Sequence, residues 1–522
     1  MVSKSLFNTV SSKAESNKNV KAADTFNDAL GKAYSLSDKA ALAQYAMTGC
    51  LNGTFYASDK DQLDNTLKLA NKVSPEFLAK LAVYSRQKGA MKDMPAVLAA
   101  VLSARDSEKL SAIFDRVVDN PKMVRNFVQV LRSGATGRKS LGTRPKKLVQ
   151  KYLESLTDEQ LFKADVGNNP SLQDIIKMVH PKPNSKARSA MYAYLLDKEF
   201  NKQDLNSLAK QYEAFKKDMD GEIPDVPFQM LTALPLTDKH WKQIANHATW
   251  TQTRMNLNTF QRHGVFADDK LVTLIAERLQ DPEQVKRSKV FPYQLFAAFK
   301  NVDAEVPAKI TLALQKAAEH AIANIPEYSG KVYVMVDVSG SMSQPVTGNR
   351  GTVSSKMSCV DVASLIASSI LRKNVDAEVM PFDTSVHKHK LNPLDSIMTN
   401  TAVLAKFGGG GTDCHLPLAQ LNRQNAKADL VIYVSDCESW ADPQGYRGTG
   451  LMNEWVKFKA RNKQAKLVCI DLVPNRTSQV SSGEDILQVG GFSDQVFDVI
   501  SNFLELGNNK DLWVKTIESV TV

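Results

Sequence analysis

Lys331-Val-Tyr-Val-Met-Val-Asp337, followed at once by Val338-Ser339-Gly340-Ser341, is the stretch that decides how the last third of this 522-residue chain folds. An unbroken apolar run of this length, with no polar residue on either face, reads as a strand buried on both sides, and such strands belong to parallel sheets covered by helices. The flanking sequence agrees. DVASLIASSILRKN (361–374) has helical spacing, AEVMPFD (377–383), DLVIYVSD (429–436) and KLVCIDL (466–472) read as three further strands, and FSDQVFDVISNFLEL (492–506) as a closing helix. Strands alternating with helices predict an α/β, Rossmann-like domain over residues 328–522. Ligands of such sheets sit beyond the carboxyl ends of the strands, where Asp337 and Asp436 fall.

The Asp337-x-Ser339-Gly340-Ser341 pattern places one carboxylate and two hydroxyls on one tight turn. Taken alone it fits a helix cap or a turn as well as a metal site. GGGGT (408–412) adds Thr412 on a loop of four glycines, and Asp436 ends the third strand, with Glu438 just after it. Asp337, Ser339, Ser341, Thr412 and Asp436 thus offer oxygen ligands from three loops. That set suits a hard divalent cation, Mg²⁺ first, with Mn²⁺ or Ca²⁺ as alternatives. Few net charges leave the ion electron-poor, so an acidic group from a partner can complete its shell.

Residues 1–327 have a different rhythm. Apolar residues recur at three and four, as in Leu78, Leu81 and Ala82, then Val97, Leu98, Val101 and Leu102. Gly89, Pro95, Pro121, Gly134, Gly142, Pro170, Pro181, Pro224, Pro235 and Pro282 punctuate the run. Short amphipathic helices over some 300 residues predict a stacked, all-α helical-repeat solenoid. This region also carries the excess positive charge. The whole chain has 66 Lys/Arg and 56 Asp/Glu, net +10; residues 1–330 have 47 and 36, net +11, and residues 331–522 have 19 and 20, net −1. A one-sided basic excess suggests a polyanion, nucleic acid above all, or a general solubility charge. Residues 121–151 sharpen the first reading: they hold nine Lys/Arg and no Asp or Glu. SGATGRKSLGTRP (133–145) reads as a basic loop between two helices. Arg125, Arg132, Arg138, Lys139, Arg144, Lys146 and Lys147 are its candidate phosphate contacts. A solvated basic face is the bland alternative.

No run of about 18 apolar residues occurs, and the first 20 residues contain no secretory apolar core. The five cysteines are scattered with no CxxC, which fits a reducing cytosol. No Walker or Rossmann fingerprint and no local nucleophile–base motif is present, so an enzyme reading finds no support.

Asp-x-Ser-Gly-Ser, Gly-Gly-Thr and a strand-end Asp resemble the metal-ion-dependent adhesion site (MIDAS) of von Willebrand factor A domains. A longer resemblance is to the TROVE or Ro autoantigen family. It is carried by GCLNGTFYAS (49–58), LAVYSRQKGAMKDMPAVLAAVL (81–102), PSLQDIIKMVHPKP (170–183), NLNTFQRHGVF (256–266), GGTDCHLPL (410–418), VSDCESW (434–440) and GGFSDQVFDVISNF (490–503). The resemblance implies a HEAT-like helical-repeat domain over 1–327, closed into a ring by the A-like domain, in a cytoplasmic monomer. It implies that Ser339, Ser341 and Thr412 coordinate the ion directly, and Asp337 and Asp436 directly or through water. It implies that single-stranded 3′ ends of misfolded RNAs enter the hole and that a Y-like noncoding RNA binds outside. Polynucleotide phosphorylase or another exonuclease is the implied protein partner. His180, in HPKP, matches a segment associated with Y RNA. Arg86 and Arg262 are candidates to line the hole, or equally ion-paired helix ends. Phe55, Tyr56 and Tyr84 fit base stacking or an apolar core. A metal-dependent protein-adhesion scaffold with nonspecific RNA affinity is the alternative function.

Overall fold

The structure, a computed structural model, describes residues 19–49, 51–167, 169–288, 290–322, 325–349, 357–441, 446–493, 495–505 and 510–522. The chain forms two compact units. One holds the described residues up to Gln62 together with Ile325–Asp395 and Thr399–Lys515; the other holds Leu63–Asn324, Ser396–Met398 and Thr516–Val522.

The first unit is built on a parallel sheet. In chain order the strands of this unit are β1 (Thr25–Phe26), β2 (Lys32–Ser35), β3 (Val332–Asp337), β4 (Glu378–Phe382), β5 (Leu430–Ser435), β6 (Lys466–Asp471), β7 (Thr477–Ser478) and β8 (Ile486–Gly490). The large sheet runs β4-β3-β5-β6-β8, every neighbour parallel. All six residues of β3 and of β5 are buried, as their unbroken apolar sequence requires. On one face Tyr333, Met335, Phe382 and Tyr433 pack with Trp455 and Phe458 of helix Gly450–Arg461. Helix Cys359–Lys373 packs on β3 and β5, and Ser358 caps it by accepting the Asp361 N–H. The chain moves from β3 to β4 on one side and to β5 on the other. The switch point therefore lies between the carboxyl ends of β3 and β5.

Two features depart from the sequence expectation. β8 is a fifth parallel strand; its ILQVG is short and carries a polar Gln488, so the run lacks the apolar signature of the other four. The described residues before Gln62 do not join the helical region. β1 and β2 form an antiparallel hairpin that pairs with β7 at Tyr34↔Ser478, and helix Asp38–Thr48 packs on β8. A division of the chain at 327/328 misses this, because two- and four-residue strands carry no legible periodicity.

The second unit is helical. Pro75–Gln87, Asp93–Arg105, Ser107–Val117, Pro121–Arg132, Thr143–Ser155 and Leu172–Val179 pack each on the next or next but one. This is the nearest-neighbour pattern of a stacked array. Some breakers mark helix starts, and Gly89, Gly134 and Pro181 follow helix ends. Ser74 and Asn120 cap helices that begin with Pro75 and Pro121. Pro95 interrupts nothing: it lies in the first turn of its helix, where no intrahelical N–H bond is lost. No described helix is long and apolar enough to cross a membrane.

Candidate metal centre and candidate nucleic-acid interface

Asp337, Ser339, Ser341 and Asp436 meet at the switch point, Thr412 lies on the glycine loop drawn onto it, and all five are buried. Asp337 ends β3. Its Oδ1 accepts the Ser339 N–H at 2.9 Å, and its Oδ2 accepts the Ser435 hydroxyl at 2.5 Å. Ser339 Oγ and Ser341 Oγ stand 3.2 Å apart. The glycine loop is drawn onto this turn: the Gly340 N–H donates to the Gly410 carbonyl at 2.8 Å, and the Gly409 N–H to that of Val338 at 3.0 Å. Gly408 has φ +96°, and a Cβ there would lie 1.7 Å from the Val338 carbonyl oxygen. Asp383, at the end of β4, accepts the Gly410 N–H on Oδ2 at 3.3 Å and so ties the same loop to the sheet. Thr412 is held through its carbonyl by the Trp440 N–H at 3.2 Å and the Ser439 hydroxyl at 3.3 Å.

The electrostatics are those of crowded, buried acids. Burial first, then the charge of Asp436, pushes the Asp337 carboxyl up to about 7. Burial raises Asp436 as well. Glu438 rises to about 9 through burial, then Asp436 and Asp28. Its Oε2 accepts the Ala29 N–H at 3.1 Å from the hairpin. Asp436 Oδ2 meets no hydrogen-bond donor among the described residues. An unpartnered carboxylate oxygen in a buried site calls for positive charge. The hydroxyl spacing fits too, since neighbouring ligands of an octahedron with 2.1 Å bonds lie about 3 Å apart. The oxygens of Asp337, Ser339, Ser341 and Asp436 therefore fit the chemistry of a hard divalent cation, with Thr412 on the adjoining loop.

Two residues at this site escape the motif reading. Ser435 orients Asp337 from β5, and Asp383 holds the glycine loop. Tyr56, a candidate for base stacking or an apolar core, is partly buried with Asp436, Glu438 and Asp337 as charged neighbours. Tyr84, by contrast, is buried among the helices, and Phe55 is 59% exposed.

In the helical unit the predicted basic loop is present, connecting Pro121–Arg132 to Thr143–Ser155. Gly134, Gly137 and Gly142 take φ of +82°, +81° and +73°, which explains the three glycines. Arg132, Lys139, Lys146 and Lys147 line a cavity of about 690 Å³ with Gln150 and Met178. Gln150 also donates to the carbonyls of Val179 and His180, tying the Leu172–Val179 helix end to this face. His180 itself is exposed and caps that helix at φ 52°. Other candidates are engaged elsewhere. Arg125 lies half-buried against Gly167, beside Asp165. Arg138 folds back to Gly142, and Arg144 donates to Ser111 Oγ at 3.3 Å. Arg86 is paired with Asp119 at 2.7 Å and bonded to the Met91 carbonyl, the ion-paired helix end of the two readings. Arg262 is exposed, with a 3.2 Å bond to Thr259 in its own helix, and is not among the residues of the cavity.

The comparisons with known proteins match this layout. A family model described as the Ro60 vWA domain matches residues 331–504, and one described as the TROVE domain matches residues 216–347. RNA-binding protein RO60 of Deinococcus radiodurans is 24% identical over 514 residues, 91% of this chain and 94% of that protein. RNA-binding protein RO60 of Caenorhabditis elegans is 27% identical over 184 residues, 33% of this chain and 28% of that protein. The crystal structure of the Deinococcus radiodurans RO (RSR) protein superposes with a TM-score of 0.61 at 20% identity, over 90% of this chain and 99% of that one. The fold is shared.

Proposed function

This chain belongs to the TROVE/Ro family, with its von Willebrand factor A domain, and we propose from that membership that it is an RNA-binding scaffold of the reducing cytosol. The observation that carries the reading is the cavity lined by Arg132, Lys139, Lys146 and Lys147. Among the described residues none of these four side chains forms an ion pair, whereas nearby Lys151 faces Asp115 at 3.9 Å. Clustered cations outside any ion pair suit a phosphate backbone, which they hold largely irrespective of sequence. In the finer reading, a Y-like RNA docks on this face beside His180. Single-stranded 3′ ends of misfolded RNAs thread a hole closed by the helical repeats, and an exonuclease such as polynucleotide phosphorylase acts on the RNA delivered. The protein acts as a monomer, and its own contribution is binding rather than bond cleavage.

The second site has a separate role. Asp337, Ser339, Ser341, Thr412 and Asp436 would hold a divalent ion, Mg²⁺ in the cell. When bound, that ion supplies a Lewis-acidic position for a carboxylate of a protein partner. Ser435, Asp383 and the glycine loop keep the oxygens in place. The unpartnered Asp436 Oδ2 supports this reading.

The test is a filter-binding titration against one duplex with a single-stranded 3′ tail and the same duplex blunt, at low and physiological salt. A tail preference that persists at physiological salt is the expected result. Equal binding of both RNAs that salt abolishes would overturn the threading reading and leave only nonspecific charge.

A further inference from the structure

Large apolar side chains stand in water around the candidate metal centre. Among the described residues nine large hydrophobic side chains are strongly exposed, and Phe26, Leu30, Phe55 and Trp440 are four of them. Single exposed apolar residues are ordinary. These four are tied by hydrogen bonds and close packing to the loops that carry the candidate ligands. The β1–β2 turn sits on Glu438–Trp440: Asn27 Nδ2 donates to the Ser439 carbonyl at 2.8 Å, and the Ala29 N–H to Glu438 Oε2 at 3.1 Å. The approach is tight, since a Cβ on Gly31 would lie 2.0 Å from the Ser439 carbonyl oxygen. Trp440 in turn lies against the glycine loop: a Cβ on Gly411, next to Thr412, would lie 2.4 Å from its Cζ2. On the Ser341 side, the Phe55 N–H donates to Gln344 Oε1 at 2.6 Å, and the Gln344 N–H to the Ser341 carbonyl at 3.1 Å. Leu30 is 83% exposed and takes φ 64°. The left-handed place in a hairpin turn ordinarily falls to Gly or Asn. A leucine there buries almost nothing and strains its own backbone, so it weakens rather than supports the fold.

We propose that Phe26, Leu30, Phe55 and Trp440 form an apolar rim that docks a polypeptide segment of a partner protein, one in which an Asp or Glu is flanked by large apolar side chains. This deepens the metal reading above and rests on it: the ion takes the carboxylate, and the rim reads the neighbours of that residue. Exposed apolar groups around a polar centre mark interaction surfaces. Trp is among the side chains most enriched at the anchor points of protein interfaces. Charge argues for one carboxylate and against a nucleic-acid strand. Asp28, in the turn itself, Asp436 and Glu438 are neighbours here. A run of phosphates would meet these acids, and like charges brought together exclude a partner. The divalent ion supplies a single positive position, which one acidic side chain fills. The rings of Trp440 and Phe55 also have the faces on which bases stack, so the test includes RNA.

The test uses a phage-displayed library of short peptides with Asp fixed at the centre and random neighbours. The library is first depleted on Asp337→Ala, then selected on the full chain in Mn²⁺ and eluted with EDTA. Enrichment of Leu, Phe and Trp beside the Asp is the expected result. A synthetic peptide of the enriched sequence is then titrated in Mn²⁺ against wild type, Trp440→Ala and Leu30→Asn. Each variant is expected to bind it about tenfold more weakly. Asn tolerates the left-handed backbone, so Leu30→Asn should melt no lower than wild type, which separates lost binding from lost folding. Affinity for a single-stranded RNA oligonucleotide should be the same in Trp440→Ala as in wild type. Three results overturn the inference and leave the metal site standing: EDTA-eluted peptides with no apolar preference, wild-type peptide affinity in both variants, or a loss of RNA affinity in Trp440→Ala. A library that yields no EDTA-eluted peptide removes the carboxylate-capture reading together with the rim.

Discussion

At the scale of single residues, the glycines of the 408–411 loop are explained by distance. Only Gly408 permits the Val338 carbonyl to come so near, at a φ that side chains rarely adopt. Gly408→Ala is therefore expected to cost roughly 2 kcal/mol or more. In a unit of this size that lowers the melting temperature by about 4–8 °C. Differential scanning calorimetry of the full chain checks this, and an unchanged thermogram would mean that the loop is looser than its hydrogen bonds indicate. The five candidate ligands stand out in sequence because each sits just past an apolar strand or in a glycine run. Ser435 does not. Its partner Asp337 lies 98 positions earlier in the chain, and nothing local distinguishes it from any strand-end serine.

Among the elements, the basic loop is the clearest agreement between sequence and structure. A window without acids, broken by glycines, had little choice but to be an exposed connection between helices. What the window could not disclose is which cations are already engaged. Arg125, Arg138 and Arg144 have protein contacts, and Arg86 has its aspartate, so four side chains remain for a ligand. The triple variant Lys139→Ala, Lys146→Ala, Lys147→Ala is expected to flatten the plot of log affinity against log salt by about 2, at roughly 0.7 per phosphate contact to single strands. The affinity should fall for every RNA alike. Neutralising Arg86 instead is expected to leave the slope unchanged and lower the melting temperature. An unaltered slope in the triple variant would remove this face from the RNA interface. At the same scale the sequence departs most from the structure: a boundary at 327/328 puts the first 62 residues with the helices, whereas the described ones, from Asn19, add a hairpin and a helix to the α/β unit.

For the whole molecule, the buried acids predict a pH-dependent stability that a divalent ion reverses. Asp337 and Asp471 are pushed up to about 7, chiefly by burial, and Glu438 to about 9. Unfolded carboxyls titrate near 4, so folding takes up protons at these sites. The stability they contribute is complete below about pH 4 and is lost as pH rises through 7 and then 9. In chelator, the full chain is expected to melt at a lower temperature at pH 9 than at pH 6, and Mg²⁺ should raise the pH 9 melt more than the pH 6 melt. Equal Mg²⁺ effects at both pH values would argue that the ion binds away from these carboxyls.

By itself the sequence determined the two fold classes, the strand ends and the basic window, and it singled out five candidate oxygen donors. All of these depend on periodicity, turn chemistry and local charge, which neighbouring residues express together. Only the tertiary structure decided which unit the described residues up to Gln62 join, which arginines are already paired, and that Ser435 and Asp383 hold the candidate ligands in place. Those outcomes depend on hydrogen bonds between residues tens to hundreds of positions apart. A short strand or a lone serine carries no local mark of the partner it will meet.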